Sequence, residues 1–160
     1  MKPWRTITIL GFALSLLLTA CLPSQTVTPI SPTPSTDAKI SQPTDGATVS
    51  QTETIKGTSQ RVPDTSAIWV VVYIPSVGRY YPQNNPADIQ ANGNWSSVAY
   101  IGIPTDVGLK LDIIVVMADK TAQDAFNAYL KNARDKNDYP GLEQLPKGAK
   151  IYDRITVTRK

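Results

Sequence analysis

Histidine is absent from this chain of 160 residues, and cysteine occurs once. Without histidine there is no imidazole general base, no Ser–His or Cys–His nucleophile pair and no imidazole metal ligand. A single thiol excludes an internal disulfide and a cysteine-built zinc cluster. Charge is also scarce. Sixteen Lys and Arg face thirteen Asp and Glu, a formal +3, too small an excess to mark a nucleic-acid binder. No D-x-[DN]-x-[DN]-G loop offers itself to calcium. The longest apolar stretch, Ile7 to Leu18, is too short to cross a hydrocarbon core of about 30 Å as a helix. No cofactor is expected. Proline is plentiful, at thirteen, and the length suits one domain able to bury a core without staples.

The first residues account for much of the charge excess. Lys2 and Arg5 precede the apolar stretch, which only Thr8, Gly11 and Ser15 interrupt. A short basic start and a short apolar run are the marks of an export signal. The run closes on Leu18-Thr19-Ala20-Cys21, and that Cys is the only one in the chain. The tetrad resembles the bacterial lipobox. The resemblance implies that residues 1–20 are a lipoprotein signal peptide and that Cys21 carries the lipid, a diacylglycerol on sulfur with further acylation, palmitate for example, at the new amine. One acyl chain binds a membrane marginally, whereas two or three hold it stably. The implied location is extracytoplasmic: the outer membrane in a Gram-negative host, since Leu22 rather than an aspartate follows the cysteine, and otherwise the outer face of the plasma membrane. A plain cleaved signal with a chance cysteine is the alternative.

Residues 22–37, LPSQTVTPISPTPSTD, hold four prolines and seven Ser or Thr. So little apolar surface cannot offset the entropy of ordering. Such a stretch is expected to act as a stalk behind Cys21, reaching at most about 50 Å if extended.

The folded domain is expected over 38–160. It opens with Ile40, then Pro43-Thr44-Asp45-Gly46, Val49, Ile55 and Gly57. Proline fixes φ and glycine accepts positive φ, so this tetrad predicts a turn between strands. The pattern resembles the first two strands of bacterial immunoglobulin-like surface domains, which implies a mainly β, immunoglobulin-like β-sandwich. Ala67–Ile74, AIWVVVYI, is apolar on both alternating faces, which predicts a strand covered on both sides. Trp69 there resembles the core tryptophan of immunoglobulin-like sandwiches, although their cysteine pair is missing. Further strands are expected at 95–101, 109–118 and 149–158. Residues 121–136 repeat Ala122, Ala125, Phe126, Tyr129, Leu130 and Ala133 at helical spacing, which predicts one inserted α-helix before the last strand.

The candidate ligand-binding residues are Tyr80, Tyr81, Asn94 and Trp95, in an aromatic and amide-rich stretch over 78–97. Flat rings beside amides suit a sugar or a peptide, and binding loops often sit on a rigid sheet. The competing reading places these rings at the core edge. The acids Glu53, Asp106, Asp112, Asp119, Asp124 and Glu143 show no spacing that pairs two carboxylates across a cleft; Asp119 and Asp124 are expected to flank a helix start. Residues 131–160 carry eight basic side chains against four acidic ones, a basic end suited to anionic lipid or polymer. The expected function is non-catalytic: a lipid-anchored protein with a binding or accessory role in the cell envelope, its partners the membrane through Cys21 and an envelope glycan or protein. A carbohydrate-binding module is one alternative, and a small hydrolase with an Asp/Glu site the other.

Overall fold

The computed structural model of the chain describes residues 36–160. The expected signal peptide, the lipidated Cys21 and nearly all of the stalk lie outside these residues. Nine strands form two sheets. One contains β1 (Asp37–Gln42), β3 (Thr52–Gln60), β7 (Asn94–Tyr100) and β6 (Asp88–Ile89), in the order β1-β3-β7-β6. The other contains β2 (Thr48–Val49), β9 (Ala149–Arg159), β8 (Lys110–Ala118), β4 (Ala67–Ile74) and β5 (Arg79–Pro82), in the order β2-β9-β8-β4-β5. All neighbours pair antiparallel except β2 with β9. With β2 counted as A′ and β5 as C′, these orders become A-B-E-D in one sheet and A′-G-F-C-C′ in the other, the pairing of an immunoglobulin-like sandwich. The expected fold class is therefore what the chain adopts, with one helix, α1 (Lys120–Lys136), before the last strand.

The Pro43-Thr44-Asp45-Gly46 turn carries the chain from one sheet to the other. Asp45 Oδ1 accepts from the Thr156 N–H at 2.7 Å, and the Gly46 N–H donates to the Thr156 carbonyl at 2.7 Å. The turn is thus pinned to the middle of β9, so that β2 starts beside the end of that strand.

The period-two pattern of β4 places its two faces in different cores. Ile68, Val70 and Val72 point between the sheets and meet Ile55, Leu111, Ile113, Val115 and Val157. Trp69 and Val71 point the other way, into a second cluster with Ile114, Val116, Ala122, Phe126 and Leu130. The strand is covered on both sides, as its sequence predicts.

One sequence expectation is corrected here. Trp69 is not the tryptophan between the sheets. It lies beneath α1, with its ring centroid 5.1 Å from that of Phe126. The inter-sheet tryptophan is Trp95, 2 % exposed. Parity decides this: Trp69 alternates with the inward-facing Ile68 and Val70. Trp95 fits because Gly57, its cross-strand partner, has no side chain; a Cβ there would overlap the indole and the Lys39 carbonyl.

Local signals fix the helix. Asp119 caps it, its Oδ1 accepting from the Ala122 N–H at 2.9 Å; such a cap contributes about 1 kcal/mol. Ala122, Phe126, Leu130 and Ala133 form the buried stripe. The helix ends at Asn137 in the left-handed region (φ 48°). The following loop returns along β5, where Tyr80 and Leu142 exchange both backbone hydrogen bonds, at 2.9 and 2.8 Å. That contact closes part of a sheet edge that would otherwise be unpaired.

Candidate functional site

The four residues singled out from the sequence do not converge. Trp95 is in the core, and its indole N–H donates to the Thr58 carbonyl at 3.0 Å. It has no free face for a ligand, so its candidacy as an exposed binding aromatic is withdrawn. Tyr80 and Tyr81 alternate along β5 and belong to opposite faces of the sheet. Tyr80 packs beside Tyr73, centroids 4.6 Å apart, on the helix side. Asn94 is exposed at the start of β7, where its N–H donates to Asn92 Oδ1 at 3.0 Å within a chain reversal. Tyr81 alone reaches a concavity of size.

That concavity is a cleft of about 660 Å³. Strand directions locate it. β3 starts at Thr52, opposite Tyr100, and its pairing with β7 ends at Thr58, opposite Asn94. Thr36, where the described chain begins, bonds to the Arg61 carbonyl at the Asn94 end. The cleft is at the other end, where three connections meet: the β4–β5 hairpin, the β7–β8 loop and the chain after α1. The hairpin and loop contribute Ser76, Val77, Gly102, Ile103, Asp106 and Leu109. The helix and the chain beyond it contribute Tyr129, Leu130 and Tyr139, and the strands supply Val72, Ile74, Tyr81, Pro82 and Tyr100 with Gln83 and Asn84 just beyond β5.

Hydrogen bonds hold these connections in place. Gln83, buried, donates through Nε2 to the Tyr81 carbonyl at 3.0 Å and accepts at Oε1 from the Tyr100 N–H at 2.7 Å. It thereby joins the two sheets under the cleft. Asp106 Oδ2 accepts from the Ile103 N–H at 2.8 Å. Gly102 (φ 70°) makes this turn possible, since a Cβ there would press on the Asp106 carboxylate. Tyr129 Oη accepts from the Gly141 N–H at 3.2 Å, and Gly141 passes so near the Tyr81 ring that a Cβ would clash with it.

The surface of the cleft is apolar and aromatic. Among the described residues nine large hydrophobic side chains are exposed, and five of them line it: Val77, Tyr100, Ile103, Leu109 and Tyr139. Isolated exposed apolar residues are ordinary, whereas clustered ones mark interaction sites. Asp106 is the one charged side chain in the lining. Burial raises the Tyr81 phenol above its ordinary pKa; Arg79 pulls it back and Asp106 adds to the rise. Burial also raises Tyr129, against the lowering effect of its Gly141 hydrogen bond, with smaller raising effects from Tyr81, Tyr139 and Asp138. Both phenols are neutral at physiological pH.

Sequence reasoning missed Tyr100, Tyr129, Tyr139, Val77 and Ile103. A signal was present in Ile101-Gly102-Ile103-Pro104 and Val107-Gly108-Leu109, where apolar residues recur inside a turn-rich loop. Tyr129 and Tyr139 reach the cleft only through the path of α1.

A second concavity of about 580 Å³ adjoins the first and shares Tyr100 and Asn84 with it. It runs along the β6–β7 side of the first sheet and mixes polar side chains, Thr54, Asn85, Asp88 and Ser96, with the apolar Pro86 and Val98.

Each scattered acid has a local partner. Glu53 Oε2 accepts from the Ser50 N–H at 3.2 Å. Asp112, buried, accepts from Thr156 Oγ1 at 2.8 Å and lies 3.5 Å from an Arg154 guanidinium nitrogen. Asp124 pairs with Lys120, and Glu143 with Arg79 at 2.7 Å. Asp119 is the helix cap and Asp106 the loop clasp. The C-terminal basic residues are also dispersed: Arg134 and Lys136 end α1, Lys147 and Lys150 are at the opposite end of the sandwich near the start of β9, and Arg159 is buried.

Compared with known proteins, the chain matches no family model and no curated sequence.

Proposed function

We propose that this protein is an exported lipoprotein, anchored through Cys21 to the outer membrane of a Gram-negative cell or the outer face of a single membrane, whose domain binds a ligand non-catalytically in the cleft. The observation that carries the binding role is the gathering of five exposed hydrophobic side chains in one cleft at the end of the sandwich remote from Thr36. Folded domains do not leave such surface to water without a use. The non-catalytic reading is supported by the lack of histidine and by the local structural partner of every acid considered for catalysis.

The carbohydrate reading now centres on Tyr100 rather than Trp95. Tyr100 is 55 % exposed and lines the second concavity beside Thr54, Asn84, Asn85, Asp88 and Ser96. An aromatic face beside amides and hydroxyls suits a glycan chain.

Two measurements test the main reading. Cys21→Ser is expected to abolish incorporation of labelled palmitate and release the protein from membranes; full membrane retention in the variant overturns the anchor. Val77→Asp with Ile103→Asp is expected to abolish binding of an apolar fluorescent probe while the unfolding midpoint holds. Unchanged probe binding removes the cleft as the site.

A further inference from the structure

We infer that the cleft receives a quaternary ammonium group on a small, soluble cation that carries no anionic group. This rests on the reading of the cleft as a binding site and specifies its ligand. Four of the seven tyrosines in the chain, Tyr81, Tyr100, Tyr129 and Tyr139, line this one cleft. Aromatic faces attract cations through their quadrupole, and clustered rings are the recognised means of holding alkylated ammonium groups, whose hydration is weak. The charge of the lining agrees with this. Asp106 is its only ionic side chain, half-buried, and no Lys or Arg contributes to it. One Asp106 oxygen accepts from the Ile103 N–H, and among the described residues no donor bonds the other, Oδ1. Partial burial raises the pKa of the Tyr81 and Tyr129 phenols, so these rings add no competing charge at physiological pH.

The same observations select among cations. A primary ammonium seeks several hydrogen-bond acceptors around it, whereas the lining is mainly aliphatic and aromatic. A ligand carrying a carboxylate or phosphate would leave that group beside Asp106 without a cationic partner, at an electrostatic cost. The aliphatic wall of Val77, Ile103 and Leu109 suits methyl groups.

The experiment is a titration of the full chain with Cys21→Ser, followed by calorimetry and by tyrosine chemical shifts. The probes are choline, glycine betaine and 3,3-dimethyl-1-butanol, the neutral isostere of choline. Choline is expected to bind at least about threefold more tightly than the isostere, and betaine less tightly than choline. Tyr100→Leu and Tyr139→Leu, at exposed positions that hold no core contact, are expected to weaken choline binding. Tyr139→Phe restores it, since phenylalanine keeps the ring face. Asp106→Asn is expected to weaken choline and leave the isostere unchanged; the amide oxygen still serves the Ile103 N–H. Equal affinity for choline and its isostere overturns this inference while leaving an apolar binding cleft in place. No response to choline at about 0.1 M overturns it also, and preference for betaine over choline does the same.

Discussion

The two ends of the sandwich are built from similar short connections, yet they treat apolar residues in opposite ways. At the end where Thr36 enters, the reversals use polar side chains and glycine to satisfy the backbone: the Ser59 N–H donates to the Gly93 carbonyl at 2.7 Å, Asn92 bonds within its own turn, and Asp119 caps α1 beside Gly148. At the other end the backbone is also bonded, through Gln83, Asp106 and Tyr129, but the loops carry Val77, Ile103, Val107, Leu109 and Tyr139 outward, and the end of β7 carries Tyr100. Those hydrogen bonds satisfy the backbone of the loops, and the stabilising apolar burial lies in the two cores beneath them. The apolar side chains of the second end are surplus to folding, and that surplus is the physical argument for a ligand there.

The comparison can be broken by substitution, in descending order of expected effect. Trp95→Ala removes the indole that packs between the sheets opposite Gly57. It is expected to cost about 3–5 kcal/mol, read as a large fall in urea midpoint; a loss below about 1 kcal/mol would contradict its placement between the sheets. At the polar end, Asp119→Ala deletes the helix cap and is expected to cost about 0.5–2 kcal/mol. Urea unfolding by circular dichroism checks this, and an unchanged midpoint would mean the cap is not formed. At the apolar end, Ile103→Ser is expected to change stability by less than about 0.5 kcal/mol while reducing apolar-probe binding. A marked loss of stability would show that Ile103 serves the core after all.

Alkaline pH sharpens the same contrast. Tyr81 and Tyr129, both at the apolar end, have folded pKa values raised above the ordinary 10.0. The unfolded chain therefore releases these protons first. Their contribution is complete below pH 10 and is lost as pH rises through the raised values. The urea midpoint is expected to fall more steeply above pH 10 in the native chain than in the Tyr81→Phe, Tyr129→Phe double variant. Parallel curves would show that the two phenols are not desolvated.

Much of the scaffold was legible because it is written in local patterns. The alternation of Ala67–Ile74 announced a strand covered on both faces, and the spacing of Ala122, Phe126, Leu130 and Ala133 announced a helix whose observed start, Lys120, differs by one residue from expectation. The short strands β2 and β6 were not legible, since two residues show no period. Nor was the choice between the tryptophans. Both stand in hydrophobic strands, and only the facing of each strand sends Trp95 between the sheets and Trp69 under the helix. The aromatic stretch 78–97 yielded one residue of the main cleft lining from the four singled out, Tyr81, because neighbours along a strand point to opposite faces.

The sequence by itself determined the mainly β class, the single helix before the last strand, and a chain without histidine. Periodicity and composition are local properties, and one chain suffices to read them. The cleft was decided only by tertiary structure. Tyr81, Tyr100, Tyr129 and Tyr139 come from β5, β7, α1 and the loop beyond it, and no local rule relates them. They meet because strand pairing and the path of the helix bring the ends of those elements to the same end of the sandwich.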